Sequence, residues 1–291
     1  METVEPAVVR AVAGQALTRR EFGAVALSGL AAGVVQPRVP VIGVQSYSFR
    51  DRPLDEAIAA MRTLGLRSCE LWQAHVEPRQ VPREELRKWR ETVSLDTFHR
   101  IRERFAQASI ELNAYNISIK DDFSEAEIER AFEMTTALGA PLITTSSNTA
   151  VVARIVPVAE RRRMLVGMHN HSRIDPNEFA TTRNFVDAMA RSRFIATNLD
   201  IGHFTATNED AVAFLQRHHD RIVTVHIKDR KRDQGPNVEL GAGDTPIGPV
   251  LRLIRDGGWP IPINLEYEYK GADAVDEVRK MLDYCRRALN L

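Results

Sequence analysis

Five of the eight histidines in this chain, His75, His169, His171, His203 and His226, stand at the ends of short apolar segments or just beyond them, and acids accompany them there. The segments end in Glu70-Leu71-Trp72, His169-Asn170-His171, Asp200-Ile201-Gly202-His203, His226-Ile227-Lys228-Asp229 and Glu266-Tyr267-Glu268. One histidine in such a place is ordinarily a hydrogen-bonded loop residue that titrates near neutrality. The group has another chemistry. His169, Asp200, His226 and Glu266 together make a nitrogen and oxygen shell for one divalent ion, and burying them is costly unless a cation or a hydrogen-bond network holds them. Two imidazoles and two carboxylates suit Mn²⁺, Zn²⁺, Co²⁺ or Fe²⁺ better than Ca²⁺, which takes oxygen-only shells. Glu268 rivals Glu266, since residues two apart on a strand share a face.

Such residues meet only if the chain brings its segment ends to one place. Eight runs rich in β-branched residues read as strands: 41–47, 68–72, 110–116, 142–146, 164–169, 194–200, 222–227 and 261–266. Between them lie stretches with apolar residues at helical spacing, such as Leu86, Trp89, Val93, Ile101 and Phe105, or Ala211, Val212, Phe214 and Leu215. Ser124-Glu-Ala-Glu and Asn208-Glu-Asp read as helix starts, and the turns at Gly65, Gly139 and Gly257-Gly258 as helix ends. Strict β-then-α alternation implies a parallel sheet, and eight units favour closure into a (β/α)₈ TIM barrel. No GxGxxG follows the first strand, which removes the dinucleotide-binding signature. In such a barrel the C-terminal strand ends carry the active site, and those ends hold the polar residues above. Alternate strand positions share a face, so His169 can reach the mouth with Asp200, His226 and Glu266.

With 291 residues the chain has the length of one barrel and a short leader. Lys plus Arg and Asp plus Glu number 39 each, so net charge gives no reason to expect nucleic-acid or membrane-surface binding. Cys69 and Cys285 form no CxxC pair and read as buried apolar residues. At the N-terminus Thr18-Arg19-Arg20-Glu21-Phe22 precedes an uncharged, weakly apolar run at 23–35, the pattern of a twin-arginine export signal. The run is too short and too rich in Gly and Ala for a transmembrane helix, and the competing reading is an amphipathic N-terminal helix. Residues 1–38 are therefore set apart as leader and 39–291 as the barrel. A periplasmic or otherwise exported protein, without stable membrane insertion afterwards, is expected.

In their order and spacing, Asp200-x-x-His203, His226-Ile227-Lys228-Asp229, Gly241-Ala242-Gly243-Asp244 and Glu266 resemble the xylose-isomerase-like barrel superfamily, in the branch often called sugar phosphate isomerases/epimerases. The resemblance spans essentially all of residues 40–290. It implies that Asp200, His226 and Glu266 hold a metal with a fifth-strand residue, which here is His169. This is a departure, because ketose epimerases carry a Glu there and pass a proton between two facing carboxylates. A His at that place resembles the dehydratase members more. The resemblance also gives His203, Arg232 and Asp175 as residues near the substrate.

The implied chemistry is removal of a proton beside a carbonyl, with the ion stabilising an enediolate. Glu266 is the first candidate base, with His171 or His203 as substitutes. Lys228 and residues 230–232 form a basic run that could touch substrate or merely face solvent. Trp72 could stack on a sugar ring or pack, and Glu70 could bind substrate or form a polar layer inside the barrel. A metal-dependent isomerase or epimerase acting on a small carbohydrate is expected. Its rivals are a lyase or dehydratase on a keto-sugar, cyclitol or oxidised glycoside, and a carbohydrate-binding barrel without catalysis. The neutral charge, the leader and the short ligand list argue against a DNA-repair nuclease, and a homo-oligomer stays open.

Overall fold

The computed structural model describes residues 39–291. The twin-arginine leader lies outside the described residues. Eight parallel strands close a barrel in the order β1-β8-β7-β6-β5-β4-β3-β2. They are β1 (Ile42–Gln45), β2 (Ser68–Trp72), β3 (Glu111–Asn116), β4 (Leu142–Thr145), β5 (Leu165–His169), β6 (Ile195–Asp200), β7 (Ile222–Ile227) and β8 (Ile263–Leu265). Each expected run holds one strand. The first is shorter than its run because Ser46–Phe49 turns into a 3₁₀ helix, with the Gln45 side chain accepting from Tyr47 N–H at 2.8 Å. The eighth begins at Ile263 because Pro262 has no N–H for the ladder. Buried on both faces, the strands are almost wholly covered; all six residues of β6 are buried.

Around them run α1 (Leu54–Thr63), α2 (Arg83–Thr92), α3 (Asp96–Gln107), α4 (Glu125–Leu138), α5 (Val152–Arg162), α6 (Thr182–Met189), α7 (Ile201–Ala206), α8 (Ala211–His218), α9 (Ile247–Asp256) and α10 (Ala274–Leu289). The apolar spacing from Leu86 to Phe105 falls on two helices, not one: Val93 is extended at ψ 136°, and Ser94 Oγ accepts from Asp96 N–H to start α3. Ser124 caps α4 in a capping box with Glu127, and Gly139 closes it at φ 70°. Asn208 sits left-handed at φ 65° after α7, so α8 is capped instead by Asp210, which accepts from Ala213 N–H at 2.9 Å. No helix among the described residues is long and apolar enough to cross a membrane.

Arg90 is buried between the barrel and α4, with a bidentate pair to Glu77 at 2.8 and 2.7 Å and a third contact to Glu127 at 3.2 Å. Removing the guanidinium leaves buried Glu77 without a cation, while Glu127 keeps Arg83 at 2.8 Å. Arg90→Ala is expected to cost about 3–5 kcal/mol, read as a lower urea midpoint at unchanged slope. A loss below about 1 kcal/mol would show that the trio is merely tolerated.

Candidate active site

His169 and Asp200 are the last residues of β5 and β6, His226 is the penultimate residue of β7, and Glu266 directly follows β8. One ligand atom from each lies within 4.8 Å of all the others. Backbone register fixes this. Asp200 pairs with His226 across β6 and β7, and Asn170 extends the β5 edge by donating to the Asp200 carbonyl at 3.0 Å and accepting its N–H at 2.9 Å. Asp200 also starts α7, with Oδ1 accepting from His203 N–H at 2.7 Å. Its other oxygen, Oδ2, and His169 Nδ1 are buried and make no hydrogen bond among the described residues. Both atoms belong to the four-residue set, and a divalent ion is a partner their chemistry fits.

Below this set lies Glu70, fully buried in the barrel axis. Its Oε1 accepts from Asn116 Nδ2, Thr144 Oγ1 and Asn198 Nδ2 at 3.2, 2.7 and 3.2 Å. Its Oε2 accepts from Asn264 Nδ2 at 2.9 Å and His226 Nε2 at 2.8 Å. The arrangement turns His226 Nδ1 toward Glu266 Oε2 at 3.1 Å, with Asp200 Oδ2 at 4.0 Å, and is the carboxylate–histidine support found beneath many metal sites. Glu70, expected as a substrate contact, is therefore a polar layer residue and does not line the cavity above it.

Lys228 reaches the same acids. Its Nζ lies 2.8 Å from Glu266, 3.1 Å from Asp200 Oδ2 without hydrogen-bond alignment, and in contact with Glu268. Burial opposes the charge on Lys228, yet Asp200, Glu266 and Glu268 hold its ammonium above the usual lysine range. Burial would likewise neutralise Glu266, but Lys228 and His226 keep it ionised and well below the ordinary range. Burial pushes Asp200 up to about 7 against the pull of Lys228. His226 resists burial because Glu70 and Glu266 raise it well above the ordinary imidazole range. His169, His203 and His171 go the other way: burial, joined by neighbouring positive groups, keeps all three neutral. Gly202 makes room for the lysine, since a Cβ there would collide with Lys228 Cγ.

A cavity of about 300 Å³ opens above these groups, lined by Tyr47, Trp72, His171, His203, Lys228 and Glu268 among others. His203 stands between two cations, with Nε2 3.0 Å from Lys228 Nζ and Nδ1 2.7 Å from Arg230 Nη1. A neutral imidazole has one lone pair, so it accepts from only one of them. His171 lies 5.0 Å from His169 and 5.3 Å from His203 between ring centres, and its ring makes no hydrogen bond among the described residues. Trp72 meets Tyr47 edge-to-face at 4.9 Å, forming an aromatic wall. His75 is spent beneath that wall on Ser46 Oγ at 3.0 Å and the Phe49 carbonyl at 3.2 Å.

Two expected substrate contacts are not in the lining. Arg232 is exposed at the tip of a small hairpin, Asp229–Arg230 against Asn237–Val238, where Asp233 and Gln234 turn the chain left-handed. Arg230, two residues earlier, points inward instead. Asp175 is consumed by its own loop, accepting from Asn177 N–H at 3.0 Å and Arg173 Nη2 at 3.0 Å. Ser118, Lys120 and Ser146, which no motif marks in the sequence, line the cavity beyond β3 and β4. The remaining motif residues have a structural task. Asp229 accepts from the N–H groups of Gly241, Gly243 and Thr245 at 2.8, 2.9 and 3.1 Å, and so ties the Gly-rich loop to the end of β7.

The sequence profile described as xylose isomerase-like TIM barrel matches residues 58–288. No curated protein matches the sequence. Among solved structures, the chain is similar to a 3-keto-D-glucoside 4-epimerase from E. coli, at 14% identity over 85% of this chain and 99% of that one, with a TM-score of 0.65. It is also similar to the IOLI protein with a bound zinc atom, at 13% identity over 86% and 99%, TM-score 0.65. A probable 3-DHS dehydratase of Bacillus anthracis is similar at 16% identity over 84% and 98%, TM-score 0.62. At such identities the likeness is one of fold.

His226→Ala and Asp200→Ala are each expected to abolish stoichiometric Mn²⁺ binding while circular dichroism stays that of the folded barrel; full occupancy in both variants would refute the ligand set. Binding is also expected to strengthen as pH rises, because the raised His226 and Asp200 must shed protons to become ligands. Calorimetry in buffers of different ionisation enthalpy reads that release directly. An affinity flat between about pH 6 and 8 contradicts it.

Proposed function

The chain belongs to the xylose isomerase-like TIM barrel family, and from that premise we propose that it is a divalent-metal-dependent isomerase or epimerase acting on a small sugar or sugar-like polyol. The observation that carries this reading is the meeting of His169, Asp200, His226 and Glu266 at the barrel mouth with two of their polar atoms lacking a hydrogen bond. An ion held there supplies positive charge that stabilises an enediolate as a carbon-bound proton leaves. The family profile and the printed names of the similar structures, an epimerase, a dehydratase and a zinc-bound protein, support the class.

The chain's own groups divide the remaining work. His171 is our base: its ring is neutral, lines the cavity and has no protein partner to release first. Glu266 is held ionised by Lys228 and His226, which lowers its basicity and suits it to ligation. Lys228 and His203 line the cavity beside these groups, and the Trp72–Tyr47 wall offers an apolar face to a sugar ring. At about 300 Å³ the cavity is at the small end of ligand sites and fits a monosaccharide-sized molecule. We also propose that the Arg19-Arg20 leader directs export, which favours a substrate without a phosphate.

A second reading, elimination of water or alcohol from a keto-sugar, is favoured by one feature. Residue 169 is an imidazole and the ionised Glu266 is paired with Lys228, so the cavity lacks the two free facing carboxylates of a symmetrical proton exchange. One base is enough for elimination or for a proton shift between adjacent carbons.

Incubation with ketoses in deuterated water separates these outcomes. Deuterium appearing at one carbon, with elemental composition otherwise unchanged, is the expected result; a product lighter by water or alcohol would replace isomerisation with elimination. His171→Ala is expected to lower kcat by about 10²–10⁴-fold with Mn²⁺ binding intact. A loss smaller than about tenfold would remove His171 from the role of base.

A further inference from the structure

The cavity has two unlike halves. On the β6–β8 side the polar groups are already partnered: Lys228 pairs with Asp200, Glu266 and Glu268, and His203 stands between Lys228 and Arg230. Arg230, which has no acid partner among the described residues and lies outside the lining, is held by Ser172 at 2.7 Å and the Gly235 carbonyl. On the β3–β5 side the reverse holds. Ser118 and Lys120 follow β3, Ser146 follows β4 and His171 follows β5, and all four line the cavity. Among the described residues their side chains have no hydrogen-bond or ion-pair partner, while those of neighbouring residues do. The two acids next to Lys120 in sequence are turned away from it. Asp121 accepts from Asn177 Nδ2 at 2.9 Å, and Asp122 pairs with Arg83 at 2.5 Å. Lys120 is half-buried and leaves this half of the cavity with one uncompensated positive charge beside three groups able to hydrogen-bond.

We propose that this half is an anion subsite, and that the substrate carries a carboxylate which Lys120 receives with Ser118, Ser146 and His171 around it. The substrate class is then a sugar acid, its reacting carbons toward His169, Asp200, His226 and Glu266 and its carboxylate toward the β3–β4 rim. One ammonium balances one carboxylate. A phosphate dianion would leave a charge unmatched. Lys120 on this account is a specificity residue. It touches the substrate away from the reacting atoms and should govern affinity for the acid without moving the metal.

The inference rests on this cavity being the substrate site, and its test keeps the two apart. Binding of D-gluconate and D-glucuronate to the full chain is measured by calorimetry against D-glucose and D-glucose 6-phosphate, with and without Mn²⁺. At least one acid is expected to bind about tenfold or more tightly than glucose, the worth of one charge-assisted hydrogen bond. Lys120→Met should erase that preference and leave glucose binding within about twofold, whereas Lys120→Arg should retain most of it. Acids bound no better than glucose, or a Lys120→Met change that weakens acid and neutral sugar alike, would overturn the subsite. So would a preference for glucose 6-phosphate over both carboxylates. Mn²⁺ binding without acid preference sinks the subsite and spares the metal reading; acid preference lost in Lys120→Met but no Mn²⁺ binding does the opposite.

Discussion

The mouth of this barrel is built on one carboxylate. Glu70 sits in the barrel axis, out of reach of water, and five donors from β3, β4, β6, β7 and β8 converge on its two oxygens. A lone buried carboxylate is among the most expensive groups a fold can hold, and only a full set of charge-assisted hydrogen bonds offsets that cost. Because the donors come from five strands, the demand to satisfy Glu70 is also a demand on barrel geometry. The His226 ring is fixed as a consequence. With Nε2 committed downward, Nδ1 has one direction left, toward Asp200 and Glu266. Where a typical barrel fills its interior with branched aliphatic layers, this one uses a polar layer to aim a ligand.

Above that layer acids and cations are set against one another. Asp200, Glu266 and Glu268 face Lys228, with His226 charged beneath them, and the three remaining imidazoles of the mouth stay neutral. Neutral imidazoles offer lone pairs, and ionised acids offer oxygens, so the set is ready for a cation without large changes in protonation at His169. An arriving ion must share the acids with Lys228.

Most of this was legible in the sequence because periodicity and strand-end position are local properties. Eight alternating runs give eight strands, and knowing that barrels keep their chemistry at one end picks out His169, Asp200, His226 and Glu266 from among many polar residues. What stayed hidden depends on angles and neighbours. Counting six residues from His226 points to Arg232, but two left-handed residues fold the chain back and bring Arg230 inward instead. Glu70 was recognisable as a buried acid or a contact, and only the cross-barrel distances decide between them. Lys120 had no motif around it. Its place in the cavity follows from where Asp121 and Asp122 find partners, far along the chain.

Gly202 shows how finely the charge group is set. The first turn of α7 packs on the stem of Lys228 so closely that no side chain fits between them. Position 202 therefore works as a stop that fixes the reach of the lysine. It is not a ligand and carries no charge, yet a single added methyl would push the ammonium back and leave three acids facing one another. The chemistry of the mouth can thus be retuned from a residue that takes no part in it, by altering distance alone.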